Sequence, residues 1–184
     1  MTEGTTDGVI TCSGNLVMPC RSDDMTALLP YIMGQAGAAN VFDFAENPTY
    51  MDLDHYHVVD TYRFASCRTD VATWSCSGAN TQLQLALALE AKGYTTGVTF
   101  PSIAASLSAI RPFMFHQLVC TIGGTVYKPF GFSLSINRNL LKDRFQNTQN
   151  RTDLPSQKRD VQVILDFPWT TDESAITDLA VTGA

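Results

Sequence analysis

The sequence predicts a mainly β protein: an antiparallel β-sandwich or barrel of about seven strands, with one or two short flanking helices. Three observations predict it. Short runs alternate apolar and polar residues, the period of a half-buried strand. Gly, Pro and Asn clusters separate those runs at short intervals. The chain has 184 residues, of which 45% are apolar, enough for one domain with a real core over 1–184.

The elements follow in chain order. Residues Val9 to Val17 form a strand pattern that Gly14 interrupts as a bulge or bend. Ser22 is the candidate N-cap of a helix with Asp23 and Asp24 in its first turn and an apolar face of Met25, Leu28, Leu29 and Ile32. Pro30 predicts a kink or an early end there, and Gly34 a stop. Residues 35–54 lack a period and are expected as a long loop, taken as projecting through 35–56. The loop holds Val41, Phe42, Phe44, Tyr50 and Met51, which either meet a partner surface or fold back on the domain.

Residues 57–64 and 67–77 read as two strands of a hairpin, rich in Val, Thr, Tyr and Trp. The segment from Gln82 to Lys92 sets two rules against each other. Its Leu, Ala, Gln and Glu are helix formers, but Leu83, Leu85, Leu87 and Leu89 recur with period two, which favours a strand. Residues 93–112 read as a connection, 114–122 as a strand, Gly123-Gly124 as a hairpin turn, and 125–127 as the return. In the strand from Phe130 to Leu140, Phe132, Leu134 and Ile136 share a face. In the strand from Asp160 to Phe167, Val161, Val163, Leu165 and Phe167 do. Thr170 to Glu173 reads as a capping box that starts a last helix through Ile176 and Leu179. A sheet of this kind commonly uses one more strand after it, so a shortened terminus or a completing strand from elsewhere is also expected.

The net charge of −6 argues against a protein that coats DNA. Residues 1–60 carry nine acids against Arg21, whereas residues 138–159 carry Arg138, Lys142, Arg144, Arg151, Lys158 and Arg159 against Asp143 and Asp153. Unlike surfaces of neighbouring copies meeting head to tail would produce this split; taken alone, the charges are explained more simply as solvated faces. Five cysteines without a C-x-x-C pair read as reduced, packed thiols. The polar, acidic start is no secretion signal, and no apolar run is long enough for a membrane helix.

No sequence feature predicts catalysis. There is no G-x-S-x-G, Walker loop, G-x-G-x-x-G or nucleic-acid-reading motif. His55 and His57 would share a strand face beside Asp52, Asp54 and Asp60, with His116 distant in sequence. A metal site there competes with the simpler reading of solvated or acid-bonded histidines, which is preferred. The basic stretch has one aromatic residue, Phe145, too few for a stacking platform.

Two further segments carry a family resemblance. Asn137-Arg138-Asn139-Leu140 looks like the Asn-Asn-Leu-like turn, and Leu154-Pro155-Ser156-Gln157-Lys158-Arg159 looks like the Pro-Gly-Arg-Arg-like segment, of the tail tube (major tail) proteins of long-tailed bacteriophages. Gln157 stands where that family often has glycine. The order of the upstream strands and of the helix Met25 to Met33 is similar too. The resemblance implies a structural virion protein, not an enzyme, assembled in the host cytoplasm. It would form six-membered rings that stack into a tube for DNA delivery, with no cofactor. Its partners would be copies of itself, other tail proteins such as the tape measure and tail terminator, and double-stranded DNA as transiting cargo. Expected subunit contacts are Asn137, Arg138, Asn139, Arg144, Arg151, Lys158 and Arg159, around a polar loop over 141–158, with Phe42, Phe44 and Tyr50. The alternative is a cytosolic β-sandwich binding module with metal near His55 and His57.

Overall fold

A computed structural model describes residues 9–34, 44–46, 48–56, 60–78, 81–99 and 110–168. Its strands are β1 (Cys12–Pro19), β2 (Met51–Tyr56), β3 (Thr61–Ser77), β4 (Gln84–Ala91), β5 (Gly93–Thr96), β6 (Cys120–Ile122), β7 (Thr125–Tyr127), β8 (Gly131–Asn137) and β9 (Asp160–Asp166), and one helix, α1, spans Ser22–Met33. All strand pairs are antiparallel. The main path runs β1-β4-β3-β8-β9, with β2 and β5 flanking the start of β3 and β6-β7 forming a separate ribbon. The fold class is therefore the one expected.

Period two wins in β4. Leu85, Leu87 and Leu89 are buried, while Ala86 and Ala88 face the other way. Opposite them in register stand Met18, Leu16 and Gly14 of β1 and Trp74, Ala72 and Thr69 of β3. Phe132, Leu134 and Ile136 of β8 extend this face. α1 lies across it through Met25, Leu28, Leu29, Ile32 and Met33, completing the core with buried Cys20. The other face shows mainly Ser, Thr, Ala, Asn and Gln, with Val17, Val71 and Ile164 among them.

Several expectations are corrected. Residues 61–77 are one strand rather than a hairpin. Ser66 adopts a left-handed conformation (φ 54°), and the register with β2 shifts there. The Asp52 carboxylate accepts the Ser66 backbone N–H at 2.8 Å. What read as a turn is thus a bulge that bends one strand between two sheets. Residues 51–56 of the expected loop are a strand, β2, and 93–96 of the expected connection are β5, which pairs with β3. The expected strand 114–122 begins instead with a 3₁₀ turn, Phe115–Gln117, and is extended only at 120–122. The helix N-cap is Arg21 rather than Ser22, and the helix runs through Pro30 to Met33. Proline removes one intrahelical donor there, but its carbonyl still accepts the Gly34 N–H at 2.8 Å. Gly34 (φ 92°) is the stop, as expected. The last helix, over 170–183, lies outside the described residues.

Leu87 is fully buried at the centre of this core. Leu87→Ala should lower stability by about 2–5 kcal/mol in urea unfolding, while Ala88→Ser, on the opposite face, should change it by less than about 1 kcal/mol.

Candidate subunit-contact site

The 138–159 segment is tied to its own sheet, and β3 supplies the tie. Between Thr69 and Val71 the register with β4 slips by one residue, leaving Asp70 as a bulge. A bulge re-aims its side chain and frees backbone groups. The Asp70 carbonyl accepts the Arg138 N–H at 2.8 Å, and its carboxylate accepts the Leu140 N–H at 3.0 Å. The same carboxylate meets Lys142 Nζ at 2.7 Å. Lys142 also reaches Glu90 at 2.9 Å, and Glu90 holds Arg151 at 2.8 Å in a buried ion pair. Hydrogen bonding to Asp70, then to Glu90, raises the Lys142 pKa above its ordinary value. Arg68 donates to the Leu154 carbonyl at 2.6 Å, and Leu140 and Leu154 are buried beneath the segment.

Arg138 does a second task. Only 1% exposed, it donates from Nε and Nη2 to the Ile32 carbonyl at 2.9 and 2.6 Å, and from Nη1 to the Ala45 carbonyl at 3.0 Å. α1 has no basic residue in its last turn. Arg138 supplies that positive charge and those donors from β8, satisfying a helix C-terminus that would otherwise be buried unpaired. Burial, then Arg159 and Arg68, pushes its pKa down to about 10, which leaves it charged at neutral pH.

Tyr50 joins the same network. Its ring lies between Arg68 and Lys92, at 3.9 and 4.1 Å, and its hydroxyl donates to Asp153. That bond, then the Leu154 N–H, Arg68 and Lys92, hold the Asp153 carboxyl below the usual carboxylate range despite partial burial. The Asn137 side chain accepts the Asn139 N–H at 2.9 Å, and Asn139, in the left-handed region at φ 48°, donates to the Lys158 carbonyl and to Asp160. Arg159 stacks over Phe44 at 4.6 Å. Arg138 and Arg151, expected at a subunit contact, thus have their guanidinium groups buried inside their own subunit, because carbonyls and Glu90 of the same chain claim them. Lys158 is exposed, Arg144 and Arg159 are half-exposed, and Phe44 is 39% exposed. Phe42 lies outside the described residues.

Residue reading missed Asp70, Glu90 and Lys142. A signal existed: Asp70 is the single acid of β3 and Glu90 the single acid of β4. The alternative metal site fares differently. Asp54 is engaged by Arg63 at 2.6 and 2.7 Å, and Asp52 by Ser66. Among the described residues no group of three His, Cys, Asp or Glu could hold a metal ion; His57 lies outside them. The cysteines are free, and burial raises the Cys20 and Cys67 pKa values to about 11, keeping both as thiols.

Clamped loops on an antiparallel sheet, with chemistry spent on holding backbone in place, define a structural subunit. The chain belongs to the phage tail tube protein family, whose family model matches residues 1–184. It is therefore a structural component of a phage tail. No curated protein matches the chain significantly. Among the described residues no helix is long and apolar enough to cross a membrane.

Arg138→Met should lower stability by about 2–4 kcal/mol in urea unfolding, because it strands the Ile32 and Ala45 carbonyls. The Asp153 pKa is depressed by folding, so its contribution is present above the unfolded value and lost as pH falls through the folded one. The urea midpoint should therefore drop below about pH 4, and Asp153→Asn should flatten that acid limb.

Proposed function

We propose that the chain forms closed, six-membered rings that stack into the tail tube and conduct DNA into the host. The observation that carries this reading is the state of the two outer strands of the main path. Among the described residues, β9 pairs only with β8 and β1 only with β4. β9 exposes apolar side chains on both of its faces: Val161 (54%) and Val163 (57%) on one, Ile164 (46%) on the other. An open, apolar edge is a template for another chain unless it is blocked, and β9 carries neither lysine nor proline to block it. With β1 as the second, different edge, copies can join heterologously, and such contacts form a ring when the rotation closes.

Charge supports the DNA-conducting part. β1, β4, β8 and β9 contain no lysine or arginine. The face opposite α1 presents Asn15, Ala86, Thr73, Ser135 and Gln162 with the apolar Val17, Val71 and Ile164, and acids only near the strand ends, such as Asp160 and Asp166. A duplex passing over hydroxyls, amides and scattered carboxylates finds no cation to hold its phosphates. DNA is then cargo rather than ligand. Arg144, Lys158, Arg159 and Phe44 are the proposed contributors from the clamped loop and its neighbour to contacts between subunits, and tape measure and terminator proteins the proposed further partners.

The double variant Val163→Lys with Ile164→Lys keeps both side chains at solvent in the free subunit. It should leave the monomer folded by circular dichroism and cut the ring fraction at least tenfold in negative-stain microscopy and sedimentation, roughly 1.4 kcal/mol or more per contact. Normal rings from this variant would remove the β9 edge from the account.

A further inference from the structure

We infer that rings stack through one specific contact, the β6-β7 ribbon of one copy seated in a cleft beside Gly14 of the copy in the next ring; this rests on the tube reading above. The cleft holds about 250 Å³ and is lined mainly by apolar groups, among them Cys12, Leu53, Phe64, Cys67 and Leu89. Gly14 creates it. In β1 the side chains facing the core come from Cys12, Leu16 and Met18, opposite Ala91, Leu87 and Leu85. Gly14, opposite Leu89, is the gap in that row. Its φ is not positive, and a Cβ placed there would meet nothing within 4 Å. Among the described residues nothing requires glycine there. A glycine inside a strand, which costs strand stability, often marks the close approach of another chain.

The ribbon has the matching character. Tyr127 turns inward to an edge-on contact with Phe167, so the face bearing Thr121 and Val126 turns outward. Val126 is 61% exposed and Val119, just before β6, 71%. A two-stranded ribbon is marginal by itself in water, and this one presents β-branched apolar groups to solvent.

Position selects a second copy as occupant. Register and backbone bonds put the ribbon at the end of the sheet where β1 and β9 finish: Phe113 N–H donates to the Cys20 carbonyl and Phe130 N–H to that of Asp166. The cleft lies at the opposite end, where β1 begins and β4 finishes. From Gly14, at the cleft, to Cys20, where the segment leading to the ribbon is bonded, is about 20 Å of extended strand. A knob at one end and a socket at the other is the arrangement that head-to-tail stacking needs. The ribbon is flanked by exposed Arg111 and Lys128, with no acid between residues 110 and 130; the cleft lining adds Ser13, Asn15 and the exposed His55 to its apolar groups. Val119, Thr121 and Val126 and the cleft lining hold no carboxylate, lysine or arginine, so the two would meet without burying an unpaired one.

Gly14→Val fills the cleft and, with open space above the strand, should not lower the melting temperature. Val126→Asp charges the knob. Both should give rings of normal diameter that fail to stack, with tube length down at least tenfold by negative-stain microscopy beside the wild type. Wild-type-length tubes from either variant would overturn the contact. Absence of rings from the wild-type protein itself would overturn the tube reading on which it rests. Should Val126→Asp misfold, His55→Cys with Val126→Cys, oxidised with copper phenanthroline, should give a polymer ladder on a non-reducing gel beyond that of either single variant; no added ladder would likewise overturn it.

Discussion

The arrangement depends on one irregularity, the bulge at Asp70. A regular β3 would leave this carboxylate on a sheet face and its carbonyl in the ladder. The extra residue turns both toward the chain leaving β8. From there the Arg138 backbone is fixed, and with it the guanidinium that closes the C-terminus of α1. Lys142, Glu90 and Arg151 extend the same tie across to β4. Most of these groups are buried or half-buried, so each is costly unless paired. They are paired with one another. The network therefore sets the position of the loop, the end of the helix and the start of β9 together.

That clamp explains how a basic loop can belong to an assembling subunit without being its sticky surface. Half of the chain's lysines and arginines lie in 138–159, yet the best-placed of them are consumed internally. What is left for a neighbour, besides Arg144, Lys158, Arg159 and Phe44, is different in kind: among the described residues, unpaired outer edges of β1 and β9, valines and an isoleucine along β9, and the apolar ribbon at one strand end. Edges would join copies sideways and strand ends would join them lengthwise, which are the two directions a tube needs.

Much of the fold was legible in residues alone. Leucines spaced by two identified β4 against its own helix-favouring composition, because burial of one face outweighs propensity. The alternation in β8 and β9, the Gly123-Gly124 turn and the Gly34 stop were equally plain. What escaped was long-range. Ser66 looked like a turn because a left-handed serine has no sequence mark; only its bond to Asp52, on another strand, makes it a bulge. β5 is four residues that are a strand only because β3 lies beside them. The role of Arg138 depends on a carbonyl 106 positions away, so two of the basic residues that suggested a contact surface, Arg138 and Arg151, are fasteners within the subunit.

Hydrogen–deuterium exchange, compared between free subunits and assembled particles, tests the central claim most directly. If the loop is clamped within its subunit and the edges are what neighbours cover, amides of 138–142 will be protected in both states. Those of β9 and β1 that point away from their partners will exchange quickly in the free subunit and become protected on assembly. Edge amides equally fast in both states, or a loop that gains its protection only on assembly, would contradict the account.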